Sequence, residues 1–522
     1  MALNERLCAR APVYGRHAMV VAGHAAATLA GVSTLKRGGS IIDAMVSASA
    51  VLSVVVGQAT SIGGDCFMLF HEAKSGRTVG LNASGTAPQD ATPERFADGM
   101  QLYGPLAPVV PGLVRGWDVL HRRYGVLPWQ SLFDDAIAAA EGYPVSHSLA
   151  ERFSSSRDRI QADSGCASVY MPGGRAIGIG DLLHQPALAR TLRTIADTGA
   201  DAFYRGAIAR RIGAFFTERG GLIGADDLAA YEPLWVEPAA GDYRGHRVEV
   251  MPPNSLGVLL LMQLNGLSAL DGATLMEDAG HRAGYQISAL KAAAELSKRW
   301  IADPRAVPDA VAHLAGAAMT AQLQAAVRAP AAPARVRNTG GTACLLIADA
   351  QGNAVSMVQS VFNVFGAVLL DPQTGILFNN RMQGFTHRPD HPNSVAPGKR
   401  PAHTLCPVLV RRDGRIRYAL ATPGGISQTL TNVQVINYLI DAGMDVAAAV
   451  DAPRWCNTKS GEFLIEPSFD EAIIATLAGM GHSASQADDP YFYGSAKAIE
   501  LLPSGMLAGA GDRHREAAAL GY

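Results

Sequence analysis

The sequence has no C-x-x-C cysteine pair, no long apolar run and no concentration of one charge. Its six cysteines (Cys8, Cys66, Cys166, Cys344, Cys406, Cys456) are scattered over 522 residues, which argues against a zinc knuckle and against a disulfide-stapled secreted scaffold. Lys plus Arg number 44 and Asp plus Glu 46, a formal net charge of -2. With no basic run among them, neither nucleic acid nor an anionic membrane surface is an expected partner. Apolar segments such as 44–56 are interrupted by serine and fall short of the roughly 20 residues a membrane span requires. The first dozen residues carry no apolar stretch of the signal-peptide kind. These absences point to the reducing cytoplasm and to a small-molecule partner.

Other absences narrow the chemistry. The fourteen histidines form no H-E-x-x-H and no His/Cys/Asp cluster with ligand spacing, so no metal is expected. There is no G-x-G-x-x-G fingerprint, no P-loop and no G-x-S-x-G elbow, so no nucleotide cofactor is expected either.

What is present reads as a large α/β protein. A chain of this length allows two to four average domains or one large body. Residues 23–37 have a helix pattern that ends on Lys36, Arg37 and the Gly38-Gly39 stop, and a second helix is predicted over 40–55. Ser61-Ile62-Gly63-Gly64-Asp65 reads as a tight turn that feeds a strand over 66–70, with a partner strand over 77–81. Residues 100–330 read as mostly helical, and Trp117 and Tyr124 within them as core aromatics. A proline- and alanine-rich stretch, 328–335, cannot propagate a helix and is expected at the surface.

Beyond it the pattern changes. An Asn338-Thr339-Gly340-Gly341 turn is followed by an apolar strand over 342–348, a turn at 349–353 and a second strand over 354–361. A further hairpin is predicted from 408 to 421 around Arg411-Arg412-Asp413-Gly414. Thr422-Pro423-Gly424-Gly425 then leads into a helix over 428–440. Two glycines at a strand-to-helix junction can leave backbone N–H groups pointing outward. Sheets covered by helices in both halves imply a layered α/β body.

The blocks Thr342-Ala343-Cys344, Ala348-Asp349, Gly352-Asn353-Ala354-Val355-Ser356, Phe365-Gly366 and Thr374-Gly375-Ile376-Leu377-Phe378-Asn379-Asn380 together resemble the small-subunit start of the gamma-glutamyltransferase family, a branch of the N-terminal-nucleophile hydrolases. The resemblance continues through Lys399-Arg400-Pro401, Thr422-Pro423-Gly424-Gly425 and Asp451-Ala452-Pro453-Arg454. Earlier in the chain it includes Arg37-Gly38-Gly39, Gly63-Gly64, Thr86-Ala87-Pro88, Phe203-Tyr204-Arg205-Gly206, Gly241-Asp242-Tyr243-Arg244-Gly245 and Met251-Pro252-Pro253. It implies a four-layer αββα sandwich built jointly by two subunits of one precursor that cuts itself between Gly341 and Thr342. A helix-rich large subunit with N-terminal strands (1–341) and a small subunit (342–522) that begins with the nucleophile strand would result. A homo-oligomer of such heterodimers is compatible with these features.

By the same resemblance Thr342 is the nucleophile, Ser360 the hydroxyl that orients it, and Gly424 and Gly425 the oxyanion donors. A freed α-amine, with a pKa near 8, sits on the same residue as the hydroxyl and can serve as its base. From the residues alone, Thr342 reads as an ordinary strand-starting β-branched residue, and the alternative for Ser360 is a polar side chain packed in a sheet. The expected reaction passes through an acyl-enzyme ester that water resolves.

The substrate pocket departs from the family pattern. Ser84 stands where the family has a carboxylate-binding arginine, and Gly384 where it has an amine-reading aspartate. Phe362 replaces an asparagine, and His403-Thr404 replace two serines. A glutamyl head would lose its charge partners and much of its hydrogen bonding. Arg381 replaces a glutamine and offers a planar fork, either to a carboxylate of the substrate or to a structural carboxylate. The pattern resembles the amidohydrolase branch that includes oxamate-type enzymes, and implies a small polar or acidic amide. The competing readings are a γ-glutamyl hydrolase or transpeptidase with a rearranged pocket, and an unprocessed binding or assembly protein.

Overall fold

Two antiparallel seven-stranded sheets lie face to face, with helices on both outer surfaces. A computed structural model describes residues 10–329, 341–458, 462–487 and 493–522. Cys8 and most of the proline- and alanine-rich stretch with its Asn338-Thr339-Gly340 turn lie outside the described residues. The strands that build the two sheets are β1 (Val13–Gly15), β2 (Ala18–Ala22), β3 (Asp65–Glu72), β4 (Arg77–Ala83), β5 (Leu234–Val236), β6 (Ala239–Tyr243) and β7 (His246–Val250) from the first part of the chain. From the second part come β8 (Gly341–Asp349), β9 (Ala354–Phe362), β10 (Val408–Arg412), β11 (Arg415–Ala421), β12 (Lys497–Leu501), β13 (Leu507–Gly511) and β14 (Ala518–Gly521). One sheet runs β14-β2-β8-β9-β3-β4-β5 and the other β1-β13-β12-β11-β10-β7-β6.

Strand alternation sorts the side chains into layers. Along β8, Cys344, Leu346 and Ala348 enter the core between the sheets, while Ala343, Leu345 and Ile347 enter the core beneath the helices. The helices on that outer face include α1 (Ala25–Lys36), α2 (Ile41–Val55) and α3 (Leu113–Tyr124). Every residue of α2 is buried, as expected for a helix apolar around its whole circumference. Its start is set by a capping box, with the Ser40 hydroxyl and the Asp43 carboxylate each satisfying a backbone N–H of the other. On the opposite face, α4 (Gly257–Leu267), α5 (Ala279–Ser297) and α6 (Ser427–Ile440) cover the second sheet. Four layers of the αββα type result. Trp117 is fully buried, with its indole N–H donating to Ser49 Oγ at 2.7 Å, and the Tyr124 ring packs on Phe70.

The region read as mostly helical, 100–330, also contains strands β5 to β7. They are short, three to five residues each, which leaves periodicity little to act on. The β6–β7 hairpin turns on Arg244 and Gly245, both with positive φ (50° and 74°), and the β10–β11 hairpin turns on Asp413 and Gly414 in the same way (51° and 77°). Both are two-residue turns whose handedness matches strand twist and favours glycine.

The two stretches of chain on either side of the Gly341–Thr342 bond are interleaved. In one sheet β2 pairs with β8 and β14, and β9 pairs with β3. In the other, β1 pairs with β13 and β7 with β10.

Candidate active site

The face of the sheet that places Cys344 and Leu346 between the layers also places Ser360 and Asp65 there. Asp65 opposes Ser360 across the β3–β9 ladder, and Phe67 and Leu69, its neighbours two and four residues on, belong to the inter-sheet core. At the start of β8 the register with β9 shifts between Gly341 and Ala343. That irregularity sits on Thr342 and turns its hydroxyl toward β9.

Ser360 Oγ lies at the centre of the local hydrogen bonding. It donates to the carbonyl oxygen of Gly341 at 2.6 Å and accepts from Phe362 N–H at 2.7 Å. Thr342 Oγ stands 3.5 Å from it, beyond a strong hydroxyl hydrogen bond. One side chain therefore touches both the carbonyl that precedes the threonine and the threonine's own hydroxyl. Close approach here requires glycine at Gly64, because a Cβ on it would stand 2.4 Å from the Ser360 carbonyl oxygen.

Behind Ser360 is a buried charge cluster. Asp65, Arg381 and His403 are all fully buried. Arg381 Nε lies 3.3 Å and His403 Nε2 2.8 Å from the same carboxylate oxygen of Asp65, and Arg381 Nη2 reaches the other at 3.4 Å. The Phe362 ring, at a residue with φ of 80°, lies 4.2 Å beneath the guanidinium. His403 Nδ1 accepts from Leu405 N–H, so Nε2 carries the proton that goes to Asp65. Burial first, then the neighbouring Arg381, pushes the His403 pKa down to about 4, which leaves it neutral at physiological pH. Burial raises the Asp65 pKa, but Arg381 followed by His403 outweighs it and holds the carboxyl below its usual range. Burial also lowers the Arg381 pKa, against the pull of Asp65.

Arg381 and His403 were expected to meet a substrate, with a structural carboxylate as the alternative partner for Arg381. In the structure both face Asp65. Ser84 is also buried and turned inward: its hydroxyl donates to Asn82 Oδ1 at 2.6 Å and accepts from Asn254 Nδ2 at 3.2 Å. Thr404 is half-buried beside His403. None of these four lines the cavity that opens on Thr342. Asp65, which holds two of them, was read only as part of a turn. Its signal was present in the sequence: a carboxylate that opens an otherwise apolar strand needs buried cationic partners.

The cavity on Thr342 is small, about 60 Å³. Its lining includes Gly341, Cys344, Pro423, Ser495, Lys497, Arg152, Arg515 and Glu516. Pro423 brings in the turn of Gly424 and Gly425, whose φ values are 127° and 59°. Among the described residues neither glycine's N–H donates to a backbone carbonyl, and neither glycine itself lines the cavity. Burial raises the Cys344 pKa, with Lys497 opposing, so its thiol is poorly suited to act as a thiolate. A larger concavity of about 970 Å³ lies at the far end of the sandwich, among the hairpin turns at Gly352, Gly414 and Gly505. It contains no candidate nucleophile. No group of His, Cys, Asp and Glu suited to a metal ion occurs among the described residues.

A family model described as gamma-glutamyltranspeptidase matches residues 27–522. The chain belongs to the gamma-glutamyltranspeptidase family. Among family relatives, the acylase ACY 1 proenzyme of Pseudomonas sp. (strain SE83) is 33% identical over 96% of this chain and 93% of its own length. The oxamate amidohydrolase proenzyme of Klebsiella pneumoniae is 33% identical over 97% of this chain and 98% of its own. A cephalosporin acylase structure from Bacillus halodurans superposes with a TM-score of 0.92 at 32% identity, covering 98% of this chain and 97% of that one. The chain is thus a hydrolase of the gamma-glutamyltranspeptidase family, and its αββα sandwich is the N-terminal-nucleophile hydrolase fold.

Proposed function

We propose that the chain cuts itself between Gly341 and Thr342 and that the freed Thr342 hydrolyses an amide bond of a small polar or acidic substrate. The observation that carries this reading is the Ser360 hydroxyl bonded to the Gly341 carbonyl beside Thr342 Oγ. In self-cleavage Thr342 Oγ attacks the Gly341 carbonyl carbon. The C–O bond forms, the C–N bond breaks, and the proton released by the hydroxyl ends on the departing α-amine. Ser360 stabilises the charge that develops on the Gly341 oxygen. Water then hydrolyses the resulting ester, leaving a carboxylate on Gly341 and a free amine on Thr342.

In turnover the same hydroxyl attacks the substrate carbonyl while the new α-amine, with a reference pKa near 8, takes its proton. The N–H groups of Gly424 and Gly425 face the developing oxyanion, a donor role worth about 3 kcal/mol when one is removed elsewhere. The leaving amine departs, and water regenerates Thr342 from the ester. Three features support a substrate outside the glutamyl class: the inward turn of Ser84, the pairing of Arg381 with Asp65, and the small volume beside Thr342. Relatives named acylase and oxamate amidohydrolase support it as well.

Intact mass spectrometry of purified wild-type protein and Thr342→Ala tests the reading. The wild type is expected as fragments 1–341 and 342–522, and the variant as one chain. An active protein with the Gly341–Thr342 bond intact would overturn it. An amide panel on the processed protein, with a γ-glutamyl anilide included, then separates small-amide hydrolysis from γ-glutamyl chemistry.

A further inference from the structure

The cavity beside Thr342 contains a cation that the buried cluster does not neutralise. Lys497 begins β12 in the opposite sheet, and its side chain faces the inter-sheet space, as Ile499 two residues on does. It is 2% exposed. Its ammonium donates to the Ser495 carbonyl at 2.8 Å and to the Ser495 hydroxyl at 3.2 Å, both neutral acceptors. Among the described residues no carboxylate forms an ion pair with it. Glu516, the one acid lining the cavity, accepts from Ser148 N–H at 3.1 Å and stands 3.9 Å from His24 Nε2.

A buried ammonium with only neutral partners is costly unless an anion joins it, and its third contact, the Cys344 thiol, is a weak acceptor that an anion can displace.

Resting on the hydrolase reading above, we infer that Lys497, held by Ser495, reads a carboxylate on the acyl part of the substrate. Arg381 does not fill this role, because its charge is matched by Asp65. The volume limits what that acyl part is. About 60 Å³ is far below the roughly 300 Å³ at which drug-sized pockets begin. The substrate class is therefore a short amide-acid, in which one to three carbons separate the carboxylate from the scissile nitrogen.

The test uses full-length processed protein and the series oxamate, malonamate and succinamate, each compared with its neutral diamide. The wild type is expected to prefer the acid of at least one pair. Lys497→Met is expected to lose at least tenfold of that acid-to-diamide kcat/KM ratio, and Lys497→Arg to retain part of it. Calorimetric titration with oxalate, malonate and succinate reads binding without turnover, and Lys497→Met is expected to lose it. A thermal melt identifies a misfolded variant, in which case Lys497→Gln takes its place. The inference is overturned if the ratio and the dicarboxylate affinity survive in Lys497→Met, or if acid and diamide fall equally. It is also overturned if Arg381→Met, rather than Lys497→Met, removes the preference. A wild type that neither splits nor hydrolyses any amide would defeat the hydrolase reading instead, and the titration would still decide the role of Lys497.

Discussion

Two groups of buried charge flank the end of β8, and they differ in what balances them. Behind Ser360, Arg381 and His403 close on Asp65 with a phenylalanine ring across the guanidinium. Beside Thr342, Lys497 rests on the carbonyl and hydroxyl of one serine and opens into a cavity. The first group is complete within the fold, and its energy goes into holding the β3–β9 ladder and the Ser360 backbone. The second meets only neutral acceptors among the described residues. A cation type at a pocket position therefore says little about recognition until its anion is located.

The comparison can be broken at its centre by Thr342→Ala. Complete loss of both processing and amide hydrolysis is expected, with one full-length species by mass spectrometry. Next in size is Asp65→Ala, which leaves Arg381 buried without its carboxylate. Removing one partner of a buried pair costs about 3–5 kcal/mol, so chemical denaturation should show a loss of that order. A loss below about 1 kcal/mol would mean that the cluster is not closed. Ser360→Ala removes the donor to the Gly341 carbonyl. By analogy with loss of one oxyanion donor, about 3 kcal/mol, pulse-chase processing is expected to slow by about a hundredfold. Processing at the wild-type rate would separate Ser360 from the cleavage.

The smallest effect is graded with pH. His71, His403 and His482 all have folded pKa values lowered to about 4, chiefly by burial, against an unfolded value near 6.5. The unfolded chain therefore binds more protons between these values. Stability from these groups is fully present above about pH 6.5 and is lost as pH falls toward 4, with a slope of up to about 1.4 kcal/mol per pH unit for each group. Thermal melts from pH 7 to 4 measure it, and His403→Gln is expected to flatten the slope. Asp65 and Asp512, whose pKa values lie below the usual carboxylate range, contribute only at still lower pH.

Legibility in the sequence followed the range of the contacts. The paired helices before Gly64 and the strands on either side of Gly352 and Gly414 were readable because capping, periodicity and turn chemistry are local. Strands β5 to β7 were not, since three to five residues carry little period and the partner of β5 and the second partner of β7 lie far along the chain. Thr342, Ser360 and the Gly424-Gly425 turn were singled out only through the family resemblance, and the structure brings Thr342 and Ser360 together. Asp65 was hidden inside a turn motif. Lys497 gave no signal, because a lysine that opens a C-terminal strand resembles any solvated residue until the two sheets are packed.

The interleaving of strands across the Gly341–Thr342 bond bears on how the molecule can be made. Two genes that each encoded one half would yield polypeptides with bare edges at β2, β3 and β7 on one side, and at β8, β9 and β10 on the other. Such unpaired edges invite aggregation. Synthesis as one continuous polypeptide, with the proposed cut at Gly341–Thr342 made only after both sheets have closed, keeps those edges covered once the sheets have formed.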